Sequence, residues 1–261
     1  MKRIIYGGVR RSEGGFTFDY EVNVDTDIID IVPPQLYNSR FKNKVYKFGY
    51  RFSDQVSSKD RTDLIHYIKG LTQPQITQDE LKQFIERPLG ELDRQVNLYD
   101  FDCFIFPLSG RSTLVQTMIE TINEYTSRDT NRVGFETVKL YKNIPSNISF
   151  DWDMFEADIP AGTQRHHQMV EYVESTLLPA IQQLDYFSLA QNVKPKYRKY
   201  ITNYLDMSDE DALKLSKFQG GKILIVDDIN TSGATLNEVL RIVNRVNHNS
   251  EIFIYTLIGN F

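Results

Sequence analysis

Strand and helix alternate from about residue 100 to the end of the sequence, which predicts an α/β fold: a parallel sheet flanked by helices. A β-rich and helical N-terminal region precedes it. Two further observations support this class. Residues 102–107 and 222–226 are short apolar runs of buried-strand type, and residues 113–125 and 233–246 between such strands have helical periodicity. The 261 residues suffice for one large domain or two small ones. The boundary is placed so that residues 1–95 form an accessory region or hood and residues 96–261 the main domain.

The elements follow in chain order. Residues 2–9 and 16–24 flank Gly14-Gly15 and suggest a hairpin. Tyr46, Phe48, Tyr50 and Phe52 recur with period two, with Lys47, Gly49 and Arg51 between them, so a strand would carry an aromatic and a largely basic face. That face reads either as a half-buried strand or as a stacking surface for single-stranded nucleic acid. Residues 58–71 carry Leu64, Ile65 and Ile68 at helical spacing. Thr77 and Glu80 form a capping-box pattern, and that helix is expected to stop near Arg87-Pro88. Strand 102–107 leads through the polar turn 108–112 into helix 113–125, then strand 133–140. Residues 141–164 show no readable pattern. A long helix over 164–189 should kink or break at Pro179. A basic stretch at 194–199, a strand at 200–205, a short helix capped by Ser208, strand 222–226, helix 233–246 and strand 251–257 complete the order.

Hydrophobic residues are 41% and charged residues 25%, the balance of a soluble globular protein, and the net charge of −5 argues against a general nucleic-acid binder. The single cysteine, Cys103, excludes an intramolecular disulfide and a cysteine-rich zinc site, and it reads as an apolar strand residue. No apolar run approaches the ~20 residues of a membrane span, and no signal peptide is readable, so a cytoplasmic location is expected.

The chemistry concentrates in KILIVDDINTSGAT, residues 222–235. A buried strand delivers two adjacent carboxylates, Asp227 and Asp228, toward the sheet edge where parallel sheets bind ligands. A loop of small and hydroxyl residues then opens a helix, whose free N–H groups suit a phosphate. Thr231, Ser232 and Thr235 add hydroxyls, and Gly233 admits close backbone approach. The carboxylates suit sugar hydroxyls as hydrogen-bond donors. The loop therefore asks for a phosphate and a vicinal diol on one ligand, as in ribose 5-phosphate.

This segment resembles the phosphoribosyl-pyrophosphate signature of type I phosphoribosyltransferases, with Ser232 where threonine is commoner. The resemblance is close over this segment and topological over residues 100–261, and it leaves residues 1–95 uncovered. Within the family it is nearest to the competence-associated, amidophosphoribosyltransferase-like branch, whose cysteine-rich N-terminal module is absent here. The resemblance implies a type I phosphoribosyltransferase-like sheet. It implies a cytoplasmic pentosyl transferase of nucleotide metabolism, which binds 5-phosphoribosyl-1-pyrophosphate with Mg2+ and transfers ribose 5-phosphate to a nitrogenous acceptor. Asp227 and Asp228 would act in catalysis by holding the ribose hydroxyls. Asn230, Thr231, Ser232, Gly233, Ala234 and Thr235 would bind the 5-phosphate. Ser109, Gly110 and Arg111 would hold the pyrophosphate. Lys194, Lys196 and Arg198 would form a mobile basic loop, although that stretch also reads as a solvated charge run.

Magnesium would bridge pyrophosphate and ribose oxygens, with no metal ligand assigned to the chain. Thr231 stands where purine-salvage members commonly carry an acid, which turns the reading away from a 6-oxopurine acceptor. The alternative is a non-catalytic regulator that senses the same donor. A response-regulator receiver domain also opens with such an apolar strand and two acids, but strand 251–257 holds no phosphoacceptor aspartate and the Thr-Ser-Gly-Ala-Thr loop would be unexplained. The partner is thus a small-molecule donor; no membrane is involved and nucleic acid is not expected. Family members are often dimers, which leaves a homodimer open.

Overall fold

The computed structural model describes residues 5–12, 15–20, 28–73, 75–107, 114–127, 135–230 and 233–259. Its centre is an eight-stranded sheet. The N-terminal region supplies β1 (Ile5–Tyr6), β2 (Val9–Ser12), β3 (Gly15–Phe18), β4 (Ile29–Tyr37) and β5 (Lys44–Phe52). Further on come β6 (Phe101–Pro107), β7 (Glu136–Lys142), β8 (Ser149–Phe150), β9 (Ile201–Thr202), β10 (Leu205–Met207), β11 (Lys222–Asn230) and β12 (Glu251–Gly259). The sheet order is β1-β4-β5-β12-β11-β6-β7-β10. The five strands from β5 to β7 pair in parallel; β1, β4 and β10 join antiparallel at the two ends. The α/β class and the parallel sheet flanked by helices are as the alternation of elements predicts.

Helices cover both faces. On one lie α1 (Ser58–Ile68), α2 (Gln78–Asp93) and α3 (Leu114–Ser127), which bury Leu64, Ile85 and Met118 against Phe104, Leu224 and Tyr255. The other face holds α4 (Trp152–Asp158), α5 (Gln164–Tyr172), α6 (Leu178–Gln182), α7 (Leu189–Asn192), α8 (Asp209–Ser216) and α9 (Ala234–Val246). There Leu236, Leu240 and Val243 pack on Ile225 and Ile254. The connection from β6 through α3 to β7 leaves in one direction along the sheet. That from β11 through α9 to β12 leaves in the other, over the opposite face. The β6/β11 boundary is therefore a topological switch point, and a crevice opens there beyond the strand ends.

Several elements depart from their sequence reading. The hairpin is the shorter pair β2–β3, while β1 pairs with β4. β4 has no counterpart in the sequence reading; it contains Pro33 and Pro34, and its register with β5 shifts there, because proline offers no N–H to the ladder. Helix α2 does not stop at Pro88 but runs on to Asp93. Proline cannot donate to the Phe84 carbonyl, and the Tyr50 hydroxyl donates there instead at 3.0 Å; Tyr255 donates to the Ile85 carbonyl at 2.8 Å. The expected helix over 164–189 is α5, a π-helical turn Val173–Leu177 and α6, the wide turn preceding Pro179. The expected strand 200–205 is split into β9 and β10 around Asn203, which adopts a left-handed φ of 61°.

The aromatic face of β5 is interior. Tyr46 and Phe48 stack on Phe253 and Tyr255 of β12 at 4.8 and 4.9 Å, and Lys47 is buried under the Tyr37 ring. These rings are spent on packing, so the half-buried reading of this strand is the one observed. Cys103 is fully buried in β6. Among the described residues, no helix is long and apolar enough to cross a membrane.

Candidate active site

β11 is the strand on which the acid pair is mounted. Ile223 and Ile225 pack into the core beneath α9, and Leu224 and Val226 into the core beneath α1–α3. This alternation sends Asp227 toward α9 and Asp228 toward α1. Pairing of β11 with β6 ends at Ile225, and β6 itself ends at Pro107, which has no N–H to extend a ladder. On its other side β11 stays paired with β12 through Asn230, opposite Gly259. The acids therefore lie at the mouth of the switch-point crevice, on a strand held from one side.

The crevice is a cleft of about 220 Å³. Pro107, Val115, Asp227, Asp228 and Thr235 line it on the signature side. Tyr204, Lys142 and residues 187–190 line it on the other. Asp227 is buried, at 7% exposure, and its Oδ1 accepts the Asp228 N–H at 3.0 Å. Burial, reinforced by the Asp228 charge, pushes its carboxyl up to about 7; the Asp228 N–H and Lys69 pull weakly the other way. Asp228 Oδ1 accepts the Ile229 N–H at 2.6 Å, and its Oδ2 lies 2.7 Å from the Lys69 ammonium. The Tyr204 hydroxyl is buried beside Thr235 without closing a hydrogen bond of normal geometry, and burial raises its pKa. Lys142 Nζ donates to the Phe187 carbonyl at 3.3 Å and sits over the Tyr186 ring, which ties β7 to the 187–190 segment.

Helix α9 starts directly at the cleft. Gly233 precedes it with φ of 71°, a left-handed conformation that strains any side-chain-bearing residue. Ala234 is buried as the first helical residue, and Thr235 reaches the cleft. The N-terminus of α9 thus opens on the cleft that the two carboxylates line.

The structure brings Asp227, Asp228 and Thr235 together, with Gly233 and Ala234 adjoining. Asn230 is placed by its backbone in β11. Thr231, Ser232, Ser109, Gly110 and Arg111 lie outside the described residues. Lys194, Lys196 and Arg198 belong to a 3-10 helical segment, Pro195–Tyr200 with Lys194 as its cap, and are not among the residues lining the cleft. Arg198 donates to the carbonyls of Val193 and Ala190, both at 2.8 Å, and Lys194 and Lys196 lie over the rings of Tyr172 and Tyr197. Sequence reasoning missed Lys69, Lys142, Tyr204 and the 187–190 wall. Only Lys69 left a local trace, as a lysine before Gly70 at the expected end of a helix.

The carboxylate pair is a poor metal cage by itself. Among the described residues no three His, Cys, Asp or Glu side chains converge as a metal site, and Asp228 already faces an ammonium. Such a donor set fits magnesium that arrives on a ligand's own oxygens, the usual habit of that ion.

No curated protein matches the chain in sequence. Among solved structures, a hypoxanthine phosphoribosyltransferase from Staphylococcus aureus overlaps 70% of this chain and 74% of its own, at 12% identity and a TM-score of 0.32. Residues 179–260, which hold β11, both acids, α9 and β12, match the model of the phosphoribosyl transferase domain.

Proposed function

We propose that the cleft binds 5-phosphoribosyl-1-pyrophosphate with Mg2+ and that the protein transfers ribose 5-phosphate to a nitrogenous acceptor. One observation carries the reading. Two adjacent carboxylates, one of them buried, stand at a topological switch point directly before a helix N-terminus. That arrangement meets a sugar diol and a phosphate at once. The domain match over residues 179–260 supports it.

Asp227 and Asp228 accept hydrogen bonds from the ribose hydroxyls, and their charge favours the positive charge that develops on the sugar ring as pyrophosphate leaves. The first turn of α9, from Gly233 to Thr235, holds the 5-phosphate and so orients the anomeric carbon toward the nucleophile. Asn230, Thr231 and Ser232 complete that cradle, and Ser109, Gly110 and Arg111 take the pyrophosphate. Lys194, Lys196 and Arg198 are the basic loop that closes over the pyrophosphate. Magnesium, when bound with the donor, neutralises the leaving group. The acceptor enters against the 187–190 wall and Tyr204, and residues 1–95 serve as the accessory region.

Calorimetric titration with the donor and magnesium tests the reading, on the wild type and on Asp227→Asn/Asp228→Asn. Wild-type binding lost in the double variant is expected, with pyrophosphate release in the presence of an acceptor. A wild type that does not bind would overturn the function; equal binding by both proteins would overturn the residue assignment.

A further inference from the structure

Among the described residues, a cation that pairs with the acids, Lys69, comes from outside the matched region. Lys69 caps α1, whose Leu64 and Ile68 are buried against the sheet. Its own N–H closes on the Ile65 carbonyl at 3.1 Å, and Gly70, at φ of 66°, turns the chain away directly after it. The backbone of Lys69 is thus fixed while its side chain spans to β11. The Nζ–Oδ2 distance to Asp228 is 2.7 Å, and the two side chains are only 26% and 18% exposed. A pair so shielded is screened less than a surface ion pair. Asp228 is thereby held twice, by its neighbour's N–H and by Lys69.

We propose that Lys69 is a positioning residue of the donor site: it fixes the Asp228 carboxylate and offsets the negative charge of the pair, so that a phosphate-bearing sugar can approach. The inference rests on the reading of the cleft as a phosphoribosyl-pyrophosphate site. Carboxylates side by side would repel a polyanionic donor, and the ammonium offsets one of their charges. It leaves the acceptor function intact, because each carboxylate oxygen keeps a lone pair for a sugar hydroxyl. The charged groups that bear on Asp227 are Asp228 and Lys69, and Tyr204 in turn feels Asp227, Glu238 and Arg241, the last two paired with each other.

The test uses Lys69→Gln and Lys69→Arg in the full chain, each checked for wild-type melting. Carboxyl carbon NMR titration of Asp227 and Asp228 is made on the ligand-free proteins, and donor affinity with magnesium is measured from about pH 6 to 9. Lys69→Gln is expected to move the Asp227 titration to higher pH and to weaken donor binding about tenfold or more. Lys69→Arg should restore both to near wild type. An unmoved Asp227 titration in Lys69→Gln overturns the proposal, and so does donor affinity equal to wild type. If the wild type itself binds no donor, the functional reading falls, and the ligand-free titration still decides whether Lys69 offsets the pair.

Discussion

At the scale of single residues, Asp227 combines burial with a neighbouring carboxylate, and both push its proton affinity up. Its folded pKa, about 7, lies above the ordinary value of 3.8 that it has when unfolded. Between those values the native state holds a proton that the unfolded chain has lost, so this residue's contribution to stability falls as pH rises from about 4 to about 7. The cost of ionising it is then fully present at higher pH. Asp227→Asn is therefore expected to stabilise the fold at pH 8 by on the order of 1–3 kcal/mol, with the gain vanishing near pH 4 in denaturant titrations. The same variant should lose donor binding, which marks the acid as retained for function at the expense of stability. Sugar hydroxyls donate to the ionised form, so donor binding below about pH 7 should release a proton from Asp227. Calorimetry in buffers of different ionisation enthalpy reads that release directly. The identity of this residue was legible in the sequence, from two acids at the end of an apolar run. Its burial was not, because that depends on Tyr204, Thr235 and β12 closing around it.

At the scale of elements, local signals held where neighbours in sequence decide the structure and failed where a distant group intervened. The capping box at Thr77 and Glu80 is present as written. The proline rule ended the same helix too early, because the carbonyls of Phe84 and Ile85 accept from tyrosine hydroxyls on β5 and β12. Tyr50→Phe should leave the Phe84 carbonyl buried without a donor and cost about 1–3 kcal/mol in thermal or denaturant unfolding. Pro88→Ala restores an N–H in reach of that carbonyl, so the cost of Tyr50→Phe should shrink in the Pro88→Ala background. Pro33 and Pro34 hid β4 in the same way: they spoil a strand by local criteria, and a register shift against β5 accommodates them.

At the scale of the whole molecule, the N-terminal strands continue the sheet that carries the site. β5 pairs in parallel with β12, and Phe48 stacks on the fully buried Tyr255. Residues 96–261 produced alone would expose that edge of β12 and its apolar faces, and the fragment is expected to aggregate more readily than the full chain, as sedimentation or light scattering would show. The sequence by itself determined that two acids end a buried strand shortly before a helix start, because strand, acids and helix start are consecutive in the chain. It also determined the α/β class, because buried parallel strands and amphipathic helices announce themselves by local pattern. Only the tertiary structure decided that Lys69 meets Asp228, that Tyr204 and residues 187–190 wall the cleft, and that the aromatic face of β5 is interior. Each of these depends on which sheet edge a distant segment pairs with, and side-chain periodicity carries no information about a partner that far along the chain.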